Sequence, residues 1–264
     1  MATHFDALSV DKNDGIWEIT LDRPDLLNRF DAQLETELTQ VLRELATDES
    51  ARAGVLLANG KVFSAGGDFE LMLEANADIA VRHAALDRAR ALLAAMTNLP
   101  QPLVVGVQGA AIGLGATIVV GSDVVVASEN VKMGDTHTAV GLVTGDGGAL
   151  FWPQSIGMLR ARRYLLTGDL LTAAKAYEFG LVTDLVPTPA DVAPAAREIA
   201  TRIAALPPLA VRGTKNALNQ VTRQRAGEVV ETALLAEGVT LATEDLVEAI
   251  AAFREKRGAK FAGR

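Results

Sequence analysis

Short apolar runs alternate with amphipathic stretches through the first two thirds of the chain. Ile16-Trp17-Glu18-Ile19-Thr20-Leu21 puts Trp17, Ile19 and Leu21 on one face and Glu18 and Thr20 on the other. That is the period of a strand with one covered face. Arg23-Pro24-Asp25 breaks it. Asp31 then stands as a helix cap ahead of Leu34, Leu38, Leu42 and Leu45, which recur every three or four residues. Residues 54–58, 103–107 and 124–127 are apolar at successive positions and predict short strands buried on both faces, with helical composition over 80–96 between the first two. Buried strands separated by helices predict an α/β layer architecture.

The pattern changes after the middle. Residues 172–179 read as a helix stopped by Gly180, and 182–186 as one more strand closed by Pro187. From Pro189 to Lys256 the periodicity is almost wholly helical, punctuated by Pro194, Pro207-Pro208, Gly213, Gly227 and Gly238. This divides the chain into an α/β core, 1–188, and a helical C-terminal region, 189–264. No low-complexity linker separates the two, so they are expected to pack together.

Composition narrows the chemistry. Among 264 residues there is no cysteine, which removes disulfides, thiolate metal sites and cysteine nucleophiles. A net charge of −8 argues against a dedicated nucleic-acid binder. The apolar run over 103–127 is interrupted by Gln108, five glycines and Asp123, and does not predict a membrane span. Met1 to Val10 lacks the pattern of a signal peptide. The expectation is a soluble cytoplasmic protein with no membrane partner. The three histidines, His4, His83 and His137, form no helical ligand pair with a carboxylate, so no metal is expected.

Two glycine-rich turns follow predicted strands: Phe63-Ser64-Ala65-Gly66-Gly67-Asp68 and Gln108-Gly109-Ala110-Ala111-Ile112-Gly113-Leu114-Gly115. Turns of this kind leave backbone N–H groups free, and two such groups converging from different loops make an oxyanion hole. Equally, glycine there supplies nothing more than tight turns. The chain has no Gly-Lys-Ser/Thr phosphate loop, no dinucleotide fingerprint and no Gly-x-Ser-x-Gly elbow.

With Arg23-Pro24 and Asn28 before them, and Leu165-Leu166-Thr167-Gly168-Asp169, Thr172-Ala173, Gly180-Leu181-Val182 and Phe253-Arg254-Glu255-Lys256-Arg257 after them, these turns form an ordered set over nearly the whole chain. The set resembles the crotonase (enoyl-CoA hydratase/isomerase) superfamily. The resemblance implies a crotonase-like ββα superhelix, or spiral, with a helical C-terminal region that mediates trimerisation, giving a homotrimer or a hexamer built as a dimer of trimers. It implies an acyl-CoA substrate, with coenzyme A entering as part of that substrate and no permanently bound cofactor. It assigns the oxyanion hole to the N–H groups of Gly67 and Leu114, adenine contacts to the backbone of Ala65 and Gly67, and further CoA contacts to Phe253 and Lys256.

The departures are specific. The two glutamates of family hydratases fall, in an ungapped match from Gly109, on Thr117 and His137. A threonine hydroxyl is a poor base, so His137 becomes the acid/base candidate. Asp146, nine residues on in a glycine turn, is the carboxylate expected to fix its tautomer. The pair resembles that of β-diketone hydrolases in the same superfamily. As ordinary residues, His137 is a loop histidine and Asp146 a helix cap. Glu70 and Glu74 share a helix face after the first turn and are candidates for a second acid, with Glu237 and Glu244 more remote ones. His83 reads as a surface residue. The basic end, Arg254, Lys256, Arg257, Lys260 and Arg264, suits an anion or the end of a helix. The expected function is enolate stabilisation on an acyl-CoA with a His-centred site. The alternatives are a CoA-independent β-diketone hydrolase and a catalytically weak acyl-CoA binder.

Overall fold

The computed structural model describes residues 5–264; His4 and the start of the Met1–Val10 segment lie outside them. The chain opens with β1 (Leu8–Asn13) and β2 (Ile16–Leu21), paired antiparallel. The periodicity does not show β1, because Leu8 alone of its residues is buried. The turn between them carries the signal instead: Asp14 at φ +49° and Gly15 at φ +78° are the two left-handed positions of a tight hairpin.

After β2 come α1 (Ala32–Thr47), β3 (Ala53–Ala58), α2 (Phe69–Ala77), α3 (Ile79–Asn98) and β4 (Leu103–Val107). The Asp31 cap forms as expected, accepting from the Leu34 N–H at 3.0 Å. Next are β5 (Ala111–Ile112), α4 (Leu114–Val120), β6 (Val124–Ser128), β7 (Lys132–Gly134), α5 (Gly148–Ile156), α6 (Met158–Leu165), β8 (Leu171–Thr172), α7 (Ala173–Phe179) and β9 (Asp184–Val186). Three helices finish the chain: α8 (Pro189–Ala204), α9 (Pro208–Thr240) and α10 (Glu244–Glu255). Gly213, Gly227 and Gly238 do not punctuate α9, which runs through all of them for 33 residues. Packing along α3 and α5 outweighs the roughly 1 kcal/mol that each interior glycine costs.

The main sheet has the order β1-β2-β3-β4-β6-β9, parallel from β2 onward, and a small sheet β5-β7-β8 stands beside it. Alternate residues of the central strands serve two cores. Val55, Leu57, Val104 and Val126 pack against Ala196 and Ala200 of α8. Leu56, Val105, Val125 and Ala127 face Leu38 and Leu42 of α1 and Leu92 and Met96 of α3. Coverage on both faces explains why these strands read as uninterrupted apolar runs. The helical region begins at Pro189, and α8 itself forms one cover of the sheet. Among the described residues no helix is long and apolar enough to cross a membrane.

Candidate active site

The two glycine-rich turns lie side by side. Ser64 pairs with Ala111 as an isolated parallel bridge, and the Ile112 N–H donates to the Ser64 carbonyl at 3.1 Å. Gly66 sits at φ +94°, where a Cβ would come within 3.0 Å of the Ile112 carbonyl oxygen, so the close approach requires glycine. Among the described residues, neither the Gly67 N–H nor the Leu114 N–H donates a hydrogen bond within the chain. Leu114 is the first residue of α4 and has ordinary helical backbone, so its side chain is no obstacle to presenting its N–H.

Both residues line a cavity of about 70 Å³, shared with His137, Asp146, Glu35 and Glu237 and otherwise walled by apolar side chains such as Leu71, Met72, Leu142 and Leu241. Strand β7 delivers Asp135 just past its end, and His137 opens a short 3-10 turn. The imidazole is gripped at both nitrogens: Nδ1 lies 2.7 Å from Asp135 Oδ1, and Nε2 lies 3.1 Å from Asp146 Oδ2. The other Asp135 oxygen accepts from the Thr144 hydroxyl. Asp146 Oδ1 accepts from the Thr117 hydroxyl at 3.3 Å. Burial pushes the His137 pKa down, but Asp146 and Asp135 outweigh it and hold it well above the usual histidine value of 6.5. Burial works against Asp135 too, and the His137 charge and the Thr144 hydrogen bond prevail, keeping that carboxyl below the usual range. At neutral pH the group is therefore an imidazolium between two carboxylates.

This changes the roles expected from sequence. Asp135, unnoticed there although it stands two residues before His137, has the Nδ1 position that fixes the ring. Asp146 is not the cap of α5, whose cap is Gly147. It is a buried carboxylate facing the cavity. Thr117 holds Asp146 by a hydrogen bond. Because both ring nitrogens are engaged by carboxylates on opposite sides, the cluster is an ion triad, although its ligand atoms lie within 4.8 Å of one another.

The remaining candidates separate cleanly. Glu70 and Glu74 are exposed on the face of α2 away from the cavity, and Glu70 pairs with Arg254 at 2.5 Å. Glu244 is exposed and pairs with Arg264 at 2.9 Å. His83 is exposed, whereas Phe151 and Trp152 belong to the core. Glu237, the remote candidate, is the one that enters the cavity. Its Oε2 lies so close to Gly145 that a Cβ there would clash with it. Burial, with the Asp146 charge next, pushes its pKa up to about 8. Glu35 of α1 faces the same cavity, and burial raises it to about 7 despite Arg88 at 2.9 Å. An acid in the apolar run Ala233-Leu234-Leu235-Ala236-Glu237 is the signal that singles out the first of these. Glu35 has none, because it sits in the first turn of a helix, where acids are ordinary.

Ala65, two residues before Gly67, is exposed, and its N–H donates to the Leu27 carbonyl at 3.0 Å, leaving its own carbonyl for a ligand. Phe253 is exposed and meets Phe69 edge-on, with ring centroids 5.3 Å apart. Lys256 ends α10 at φ +54° and is exposed. Three of the basic tail's arginines are engaged by acids of the same chain: Arg254 with Glu70, Arg257 with Glu248 and Glu255, and Arg264 with Glu244.

A family model described as enoyl-CoA hydratase/isomerase matches residues 11–264. The chain belongs to the enoyl-CoA hydratase/isomerase family. Among its relatives, the 2,3-dehydroadipyl-CoA hydratase of Escherichia coli is 34% identical over 259 residues, covering 97% of this chain and 99% of the relative. The (E)-benzylidenesuccinyl-CoA hydratase of Thauera aromatica is 31% identical over 246 residues, covering 93% and 94% respectively. The crystal structure of an enoyl-CoA hydratase/isomerase from Mycobacterium paratuberculosis superposes with a TM-score of 0.87 at 36% identity, covering 93% of this chain and 97% of that one. The fold is thus the crotonase spiral with a helical C-terminal region, and this member of the family is an enzyme whose reaction at the acyl group its relatives do not specify.

Proposed function

We propose that the protein binds an acyl-CoA thioester, holds its carbonyl oxygen on the Gly67 and Leu114 N–H groups, and moves a proton along the acyl chain with the Asp146–His137 pair. The observation that carries this reading is the placement of one cavity-facing carboxylate, locked by an imidazolium, in the same small cavity as two unpaired backbone N–H groups. Both His137 protons point at carboxylates, so the group that meets the acyl chain is Asp146. In an enoyl-CoA, Asp146 takes the proton from the carbon between carbonyl and double bond. The electron pair moves into the enolate, whose oxygen the two N–H groups stabilise. Return of the proton two carbons farther shifts the double bond. One carboxylate suffices for this isomerisation, whereas the two-glutamate hydration pattern is missing at Thr117. Coenzyme A enters and leaves with the substrate, its adenine meeting the backbone of Ala65 and Gly67 and the rest of it Phe253 and Lys256 in this reading.

The test is exchange and turnover. In D2O the enzyme should incorporate deuterium at the carbon next to the thioester carbonyl of a bound acyl-CoA and interconvert 3-enoyl- and 2-enoyl-CoA, with hydration of crotonyl-CoA much slower. Hydration as fast as isomerisation would move the chemistry to a second acid. No acyl-CoA binding, with cleavage of a cyclic β-diketone, would establish the C–C hydrolase.

The assembly proposed is a trimer or a hexamer. Leu209, Leu218, Val221, Leu235 and Val239 of α9 are all more than half exposed, as is Phe253 of α10. This much apolar surface on the helical region calls for a partner, and a second copy is the one the family resemblance supplies. Light scattering at micromolar concentration should return a multiple of three subunits; a stable monomer overturns it.

A further inference from the structure

Glu237 is a buried carboxyl with an unmet need. It comes from α9, is 9% exposed, and presents an Oε2 that has no hydrogen-bond partner. The charged groups that act on it are Asp146, His137 and Glu35, which line the same cavity, and Asp135 on the other nitrogen of His137. Arg88 on α3 is committed to Glu35, and on α9 itself Glu231 is committed to Arg90. Of the four groups that act on Glu237, His137 alone is a cation, and it is already held between Asp135 and Asp146; the other three are acids. Burial and these neighbours favour the neutral acid, which carries a proton to donate. A cavity filled by a plain hydrocarbon chain leaves that donor unsatisfied, at a cost that an apolar residue in its place would not incur.

We propose that Glu237 reads the acyl group by donating a hydrogen bond to an oxygen on the chain, so that the substrates of this site are oxo- or hydroxyacyl-CoA thioesters in preference to plain alkyl ones. The proposal rests on the acyl-CoA reading above, and it gives that site a substrate class. The apolar wall, with Leu71, Met72, Leu142 and Leu241, supplies no donor, and Glu35, the other raised acid of the cavity, is held by Arg88 at 2.9 Å.

Calorimetry with matched pairs tests it: butyryl-CoA against 3-oxobutyryl-CoA, and pentanoyl-CoA against 4-oxopentanoyl-CoA. Wild-type protein at pH 7 should bind at least one oxo ligand about tenfold or more tighter than its plain partner. Glu237→Leu and Glu237→Met should remove the preference, and both should melt at or above the wild-type temperature, because an unpaired polar group has left the interior. Glu237→Gln keeps a donor and should keep the preference. Above about pH 8, where Glu237 ionises, wild type should lose the preference and Glu237→Gln should not. Acyl-CoA binding without any oxo preference, or a preference that survives in Glu237→Leu and Glu237→Met, overturns this proposal and leaves the acyl-CoA reading standing. Failure of every acyl-CoA to bind wild type overturns both.

Discussion

Asp146→Asn is expected to lower turnover by about 10²–10⁴-fold while leaving acyl-CoA affinity within a few-fold of wild type. The substituted side chain keeps an oxygen to accept from the His137 Nε2–H, and its amide N–H can donate to the Thr117 hydroxyl oxygen, so the buried geometry, at 3.1 and 3.3 Å in the native site, has no reason to collapse. What disappears is a group able to take a proton. The Gly67 and Leu114 N–H groups are backbone and remain. Adding His137→Gln to Asp146→Asn should cost little more activity than Asp146→Asn alone, because the pair acts as a unit. Stopped assays for the rate and calorimetry for affinity separate the two effects. Wild-type turnover in Asp146→Asn would remove Asp146 from the chemistry and direct attention to Glu237.

His137→Ala carries the second large effect, on stability. It removes the one cation between Asp135 and Asp146, both buried. Breaking a buried ion network by deleting a single partner costs about 3–5 kcal/mol, because the remaining charges are left in a poor medium for them. The melting temperature should fall sharply at pH 7, and the deficit should shrink as acid neutralises the carboxylates. Asp135→Asn combined with His137→Ala should be less damaging than the sum of the two, since the double change removes one of the stranded charges. The native protein has the complementary pH dependence. The folded pKa of His137 is raised above its unfolded value, so its contribution is fully present below about pH 6.5 and is lost as pH rises through the folded value. Glu35 and Glu237, raised to about 7 and about 8, act in the same direction: between about pH 4.5 and those values the unfolded chain loses protons that the native one keeps. Thermal stability should therefore decline from mildly acidic toward alkaline pH. A His137→Ala melting temperature within a degree or two of wild type would show that the two aspartates are compensated by something other than the ring.

Much of the fold follows from local pattern. The central strands are legible because burial on both faces demands uninterrupted apolar residues, and Leu103–Val107 coincides with its predicted bounds. The Asp31 and Gly180 helix boundaries are legible because capping is chemistry between near neighbours. β1 escapes because an edge strand with one buried residue has no apolar period to show. The continuity of α9 through its glycines escapes because packing partners far along the chain decide it.

The candidate site divides the same way. Sequence alone determines that two glycine turns follow strands and that Asp146 lies nine residues beyond His137. Each of these depends on residue type and spacing. Tertiary structure decides the rest. It places Asp135 on one ring nitrogen and Asp146 on the other, turning a prospective neutral base into a held cation. It turns Glu70 and Glu74 outward, and it carries Glu237 across from a helix 100 residues later in the chain than His137. Ionisation state and cavity lining are sums over groups that are distant in sequence and adjacent in space, and no local pattern encodes those sums.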